Sequence, residues 1–146
     1  ASTGLELAHA LARAVHEAVA YAPGQTQSQT TAAEALAQRQ GVCQDHAQVL
    51  IGLARRRGLP ARYVSGYLLA DAEGKPHEAA HAWAEIWVAG LGWVGFDAAN
   101  ACCPDARFIR LGAGFDAADA APIRGIARGD AVESLEVAVA VAQQQQ

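Results

Sequence analysis

Cys43, His81 and Asp97 are residue types that can together carry out nucleophilic chemistry on a carbonyl carbon. A thiol attacks as its thiolate, which is favoured at a helix N-terminus or beside a protonated histidine. Cys43, Ala47, Leu50, Ile51 and Ala54 fall at i, i+4, i+7, i+8 and i+11, one face of a helix. Cys43 is therefore expected in the first turn of that helix, where unpaired N–H groups and the helix dipole favour an anion. Taken alone, the position also suits a small apolar residue, because free cysteines are commonly buried.

The histidine and the aspartate shift that balance. If the Gly90-Leu91-Gly92 hairpin turns near Gly90, His81 lies opposite residue 99 and diagonal to Asp97, within side-chain reach across two antiparallel strands. A carboxylate beside an imidazole fixes its tautomer and supports the imidazolium. The pair alone is equally consistent with a structural hydrogen bond. Together with Cys43 it supplies a nucleophile, a base and an orienting group.

The elements that must position these residues are legible in outline. Thr3 and Glu6 match a capping box, and Ala8, Leu11, Ala12, Val15 and Val19 then recur at helical spacing, predicting a helix that ends near Tyr21 before Pro23-Gly24. Residues 25–30 read as a loop. Thr31 and Glu34 form a second capping box for a helix that stops at Gly41. Gly58 and Pro60 end the Cys43 helix. Residues 62–69 are β-prone, and Asp71 to Pro76 reads as a turn. His81, Trp83, Glu85 and Trp87 then alternate with Ala82, Ala84, Ile86 and Val88, and Trp93 to Asp97 returns antiparallel. Residues 107–111 suggest a further strand, 116–124 a loop and 135–141 a closing strand. Helices first and antiparallel strands afterwards make an α+β class.

Composition narrows the function classes. The 146 residues carry a net charge of −4, one domain's worth of chain. No Lys/Arg cluster argues for nucleic acid; the run Arg55-Arg56-Arg57 sits at a predicted helix end, where cations suit the dipole. No apolar stretch is long enough to span a membrane. Of the residues, 36 are Ala, but Leu, Ile, Val and Phe still total 31, enough for a core. Three cysteines, two of them adjacent, make no disulfide framework, so a reducing, cytoplasmic setting is the expectation. The expected organisation is one catalytic domain over residues 1–142, cut from a longer chain, with a Gln tail at 143–146.

Four motifs in order, Gly41-Val42-Cys43-Gln44-Asp45, Gly58-Leu59-Pro60-Ala61-Arg62-Tyr63-Val64-Ser65-Gly66-Tyr67, His81-Ala82-Trp83 and Gly92-Trp93-Val94-Gly95-Phe96-Asp97, resemble the transglutaminase-like superfamily, in its bacterial cysteine-protease-like branch. The resemblance runs from about Tyr21 to about Val141. It implies a papain-like core in which a Cys helix packs on an antiparallel sheet carrying His and Asp. By position it makes Cys43 the nucleophile, His81 the general base and acid, and Asp97 the orienting group. The implied reaction is thiol acyl transfer on amides, either peptide or amide hydrolysis or transamidation of Gln side chains, with a protein or peptide substrate and no cofactor. Two departures stand out: His46 where the family has an aromatic, and Ala98-Ala99-Asn100 where it has Pro-Thr-Asn. Relatives usually carry a further N-terminal β-rich domain.

The Cys43 backbone N–H is a natural oxyanion donor. Animal transglutaminases use a Trp upstream of the Cys for a second, whereas all three Trp here lie downstream; Tyr21, Gln25 and Gln27 are the remaining candidates. His46, three residues after Cys43, is expected to pack rather than to react. His9 and His16 are expected to be solvated, Asp45 to stabilise the first turn of its helix, and Trp83 either to wall the pocket or to join the core. Two other readings stand beside the enzyme: a catalytically silent papain-like module that binds peptides, and a zinc domain using His77 with Cys43 or His46.

Overall fold

The computed structural model describes residues 4–26, 30–70 and 76–121. Thr3 of the first capping box, Gln27, the 71–75 part of the expected turn, the 135–141 strand and the Gln tail lie outside them.

Helix α1 (Gly4–Ala18) buries Ala8 and Val15, two turns apart on one stripe. It ends three residues before the expected boundary, because Ala20–Tyr21 forms a short strand, β1, which pairs in parallel with β2 (Gln40–Gly41). Helix α2 (Ala32–Gln38) begins at the predicted capping box: the Thr31 hydroxyl accepts from the Glu34 N–H at 3.1 Å, and Glu34 reaches back to the Thr31 N–H at 3.4 Å. The stop comes at Arg39, in the left-handed conformation with φ 60°, and not at Gly41. The Arg39 N–H closes onto the Ala35 and Leu36 carbonyls, which ends the helix early and frees Gln40–Gly41 to pair with β1.

Helix α3 (Cys43–Arg56) buries Ala47, Leu50, Ile51 and Ala54, the stripe read from the sequence. Gly58, at φ 79°, ends it as expected, with its N–H on the Arg55 carbonyl. Strands β3 (Ala61–Ala70), β4 (Pro76–Val88), β5 (Gly92–Phe96) and β6 (Phe108–Gly114) form one antiparallel sheet in the order β5-β4-β3-β6. Pro76, assigned to a turn from the sequence, begins β4.

Val88 pairs with Gly92 and Ala84 with Phe96, so the hairpin turns about Gly90 as the spacing required. Gly90 and Gly92 adopt φ of 87° and 85°, a region that costs other residues a strained backbone. The alternation of β4 sorts the two faces. Ala82, Ala84 and Ile86 lie in the core cluster with Ala47, Leu50 and Ile51 of α3, while Trp87 is 44% exposed on the other side. Burying that apolar set is the main force seating the Cys43 helix on the sheet.

Candidate active site

Cys43 is the first residue of α3, as its spacing predicted, and is half-buried. The residue before it, Val42, is extended and has no side-chain acceptor to cap the helix. Asp45 caps it in part instead, since its Oδ2 accepts from the Val42 N–H at 2.9 Å and from the Thr26 hydroxyl at 2.6 Å. Asp45 is 4% exposed and lies so close to Gly41 that a Cβ there would meet its own Cβ at 2.6 Å. Gly41 is therefore needed for steric room where the chain enters the helix.

His46 packs, as expected, and does so through its ring nitrogens. Nδ1 lies 2.7 Å from the Val42 carbonyl and Nε2 2.8 Å from the Val19 carbonyl. The ring stacks on Tyr21 at 6.3 Å between centroids. A side chain in α3 thus ties the residue before Cys43 to the end of α1. Its polar atoms all face backbone groups of the scaffold.

His81 sits on β4 opposite Gly66 of β3. Strand β5 ends opposite Ala84, so the loop that follows it, and not a strand, borders β4 at His81. Asp97 heads that loop and is pinned by two backbone hydrogen bonds with Cys102, at 2.8 and 3.2 Å. The His81 Nε2 lies 2.7 Å from Asp97 Oδ2, with Asp97 only 1% and His81 7% exposed. Cys43 lines the same cavity as His81 and acts on its imidazole electrostatically. The three residues singled out from the sequence are thus brought together in the order Cys43, His81, Asp97.

Burial works against a charge on His81, but the Asp97 hydrogen bond and the negative charges of Asp97 and Cys43 outweigh it and hold the imidazole up to about 9. Cys102 and Cys103 have their thiols pushed up by burial, Cys102 also by the Asp97 charge. Tyr21 and Tyr63 are both held in the phenol form by burial and by the nearby negative charge of Cys43, Tyr63 also by that of Asp45. Of the three candidates for a second oxyanion donor, Tyr21 therefore lies within electrostatic reach of Cys43. Gln25 is exposed, and Gln27 is outside the described residues.

Other residues of the site did not stand out in the sequence. Asn100 donates from Nδ2 to Asp97 Oδ2 at 2.8 Å, and its backbone N–H reaches Asp97 Oδ1 at 3.3 Å. The signal was available as an Asp-x-x-Asn spacing, which favours a side chain folding back on its own turn. His16 is exposed, as expected, but also holds the Ala98 carbonyl through Nδ1 at 2.9 Å and so anchors the Asp97 loop to α1. His9 is exposed but sets its ring against Phe96 edge-on at 5.0 Å. Trp83 is buried at 3% exposure, packs against Phe108 at 5.2 Å and lies 6.0 Å from the His81 ring, so it backs the base without itself lining the Cys43 cavity. Among the described residues, no three His, Cys, Asp or Glu side chains converge as a metal's donor set. The His77 side chain of the zinc reading is not among those described. Among the described residues no helix is long and apolar enough to cross a membrane.

A family model described as "Transglutaminase-like superfamily" matches residues 1–98, a span that contains Cys43, His81 and Asp97. An uncharacterized protein of Mycobacterium bovis is 40% identical over 131 residues, covering 84% of this chain and 42% of its own. One of Mycobacterium leprae is 37% identical over 136 residues, covering 90% and 48%. The chain thus spans less than half the length of these relatives. A crystal structure of a candidate cysteine protease from Cytophaga hutchinsonii superimposes with a TM-score of 0.69 at 36% identity, over 78% of this chain and 37% of the other. LapG of Legionella pneumophila, at 12% identity, shares the fold with a TM-score of 0.56 over 76% of this chain and 63% of its own.

Proposed function

The chain belongs to the transglutaminase-like superfamily, and its α+β architecture is the papain-like one; from that premise we propose that it is a thiol-dependent acyl-transfer enzyme acting on amide bonds of a protein or peptide. The observation that carries this reading is that Cys43, at the start of its helix, shares a cavity wall with His81, whose imidazole lies 2.7 Å from the 1%-exposed Asp97 carboxylate.

In this mechanism Asp97 accepts from Nε2–H and fixes the tautomer, while His81 takes the thiol proton on Nδ1. The Cys43 thiolate attacks the amide carbonyl, and the resulting oxyanion meets the Cys43 N–H, which its own helix leaves without an intrahelical partner. His81, now an imidazolium, gives its proton to the leaving nitrogen as the C–N bond breaks, leaving a thioester on Cys43. Water, deprotonated by His81, then attacks the thioester and releases the acid and the thiolate. An amine in place of water gives a new amide. Hydrolysis is the outcome we favour, in keeping with the cysteine-protease description of the structure at 36% identity.

The decisive experiment is the alkylation rate of each cysteine by iodoacetamide at neutral pH, mapped by mass spectrometry, followed by amide substrates with and without a primary amine. Cys43 is expected to react well ahead of Cys102 and Cys103. A folded protein in which Cys43 is no faster than Cys103 would leave a silent peptide-binding module as the better description.

A further inference from the structure

A cavity of about 210 Å³ opens directly beside Cys43 and His81, and its wall is of unusual chemistry for this protein. Tyr67 of β3, Ala80 of β4 and Leu111 of β6 form one side, and Ala117 and Ala121, from the segment after β6, form the other. Although 18% of the chain is charged, no Asp, Glu, Lys or Arg among the described residues lines this cavity. Apart from Cys43 and His81, the polar side chains in the wall are an amide and three hydroxyls, those of Gln44, Tyr63, Ser65 and Tyr67. The Ser65 hydroxyl donates to the Ala120 carbonyl, which also ties the second wall to β3. Tyr63 is 3% exposed and held as a neutral phenol. Among the described side chains of the same sheet, Glu85 pairs with Arg62 at 2.7 Å and with Arg110 at 3.0 Å beside a separate hollow.

The size is as informative as the chemistry. Pockets that enclose a whole small ligand run to about 300–1,000 Å³, so this one has room for a single side chain. We propose that it is the specificity subsite of the Cys43 reaction, receiving one uncharged, mainly apolar side chain next to the attacked carbonyl and rejecting acidic and basic ones. This rests on the acyl-transfer reading of Cys43. The selectivity is a desolvation effect: an ionised side chain entering the cavity gives up its water, and the charges at its floor, those of Cys43, His81 and Asp97, already compensate one another, whereas an aliphatic one loses nothing polar.

The test uses four peptide vinyl sulfones that differ only in the side chain next to the electrophile (Ala, Leu, Glu or Lys), with iodoacetamide as a measure of the thiol itself. The rate read is that of Cys43 labelling in the intact chain. The Ala and Leu probes are expected to label at least about tenfold faster than the Glu and Lys probes. Ala121→Asp places a carboxylate in the wall and is expected to raise the Lys-to-Ala rate ratio about tenfold; Ala117→Asp does the same from a neighbouring position if the first variant fails to fold. Rapid labelling by all four probes within about twofold, with the ratio unmoved in a folded Asp variant, overturns the subsite while leaving the nucleophile intact. If iodoacetamide and every probe label Cys43 no faster than Cys103, the acyl-transfer reading fails and the subsite with it.

Discussion

Two buried histidines flank the start of the Cys43 helix, and they differ in what holds them. His46 is 1% exposed and His81 is 7% exposed, so burial hardly separates them. The ring nitrogens of His46 face the carbonyls of Val42 and Val19, whereas His81 lies between a carboxylate and a thiol. A carbonyl presents a fixed partial charge, which orients a ring. A carboxylate and a thiolate carry full charges that strengthen when the ring is protonated, which makes the ring a proton acceptor. The partner's charge, and not the depth of burial, thus separates a strap from a candidate base.

The sharpest way to break this comparison is to remove the chemistry on one side of it. Cys43→Ala is expected to abolish turnover of any amide substrate, and activity retained in the purified variant would end the mechanism. His81→Ala is expected to lower kcat/KM by about 10²–10⁴ and to slow Cys43 alkylation, while circular dichroism remains that of the folded chain. Asp97→Asn is expected to lower activity by up to about 10⁴-fold, because it keeps the shape but replaces the charged partner of Nε2–H. Full activity in that variant would remove the orienting role of Asp97.

Proton affinity sharpens the comparison further. His81, raised from 6.5 to about 9, should give kcat/KM an alkaline limb centred near pH 9, as the imidazolium needed for the leaving nitrogen is lost. Stability follows the same sign. The folded state binds this proton more tightly than the unfolded state, so the contribution is complete below about pH 6.5 and disappears as pH rises towards 9. Urea midpoints measured across that window should fall in the wild type and fall less in Asp97→Asn. A wild-type His81 Cε1–H resonance that titrates near 6.5 would contradict the arrangement.

How much of this was legible in the sequence depended on the range of each contact. The Cys43 helix and the β4–β5 hairpin were readable because period and turn chemistry are local: the 3.6-residue stripe of Ala47, Leu50, Ile51 and Ala54, and the glycines at 90 and 92. Parity about the hairpin then carried His81 and Asp97 to one another. The β1–β2 pair was not readable, since two-residue strands are too short to show alternation and their partners are 20 residues apart (Ala20 with Gln40). The bond from His16 to the Ala98 carbonyl joins positions 82 apart and has no periodic signature. The early stop of α2 was missed because Arg39 takes a left-handed position that glycine usually fills.

The smallest effect expected is on the other side of the comparison, and it separates a strap from a second base. His46→Phe restores the aromatic residue that the family resemblance leads one to expect, and it keeps the ring in place against Tyr21. The Val42 carbonyl still accepts from the residue-46 backbone N–H, 3.1 Å away in the present structure, so the bond chiefly lost is the one to the Val19 carbonyl. An unsatisfied buried carbonyl costs about 1–3 kcal/mol, and the better burial of an apolar ring offsets part of that. The expected result is a modest fall in the urea midpoint with kcat/KM within about threefold of wild type, since no reacting atom is touched. A loss of activity comparable to that of His81→Ala, in a chain that still folds, would mean that His46 acts on the Cys43 thiolate itself, and that partner charge is not what separates the two histidines.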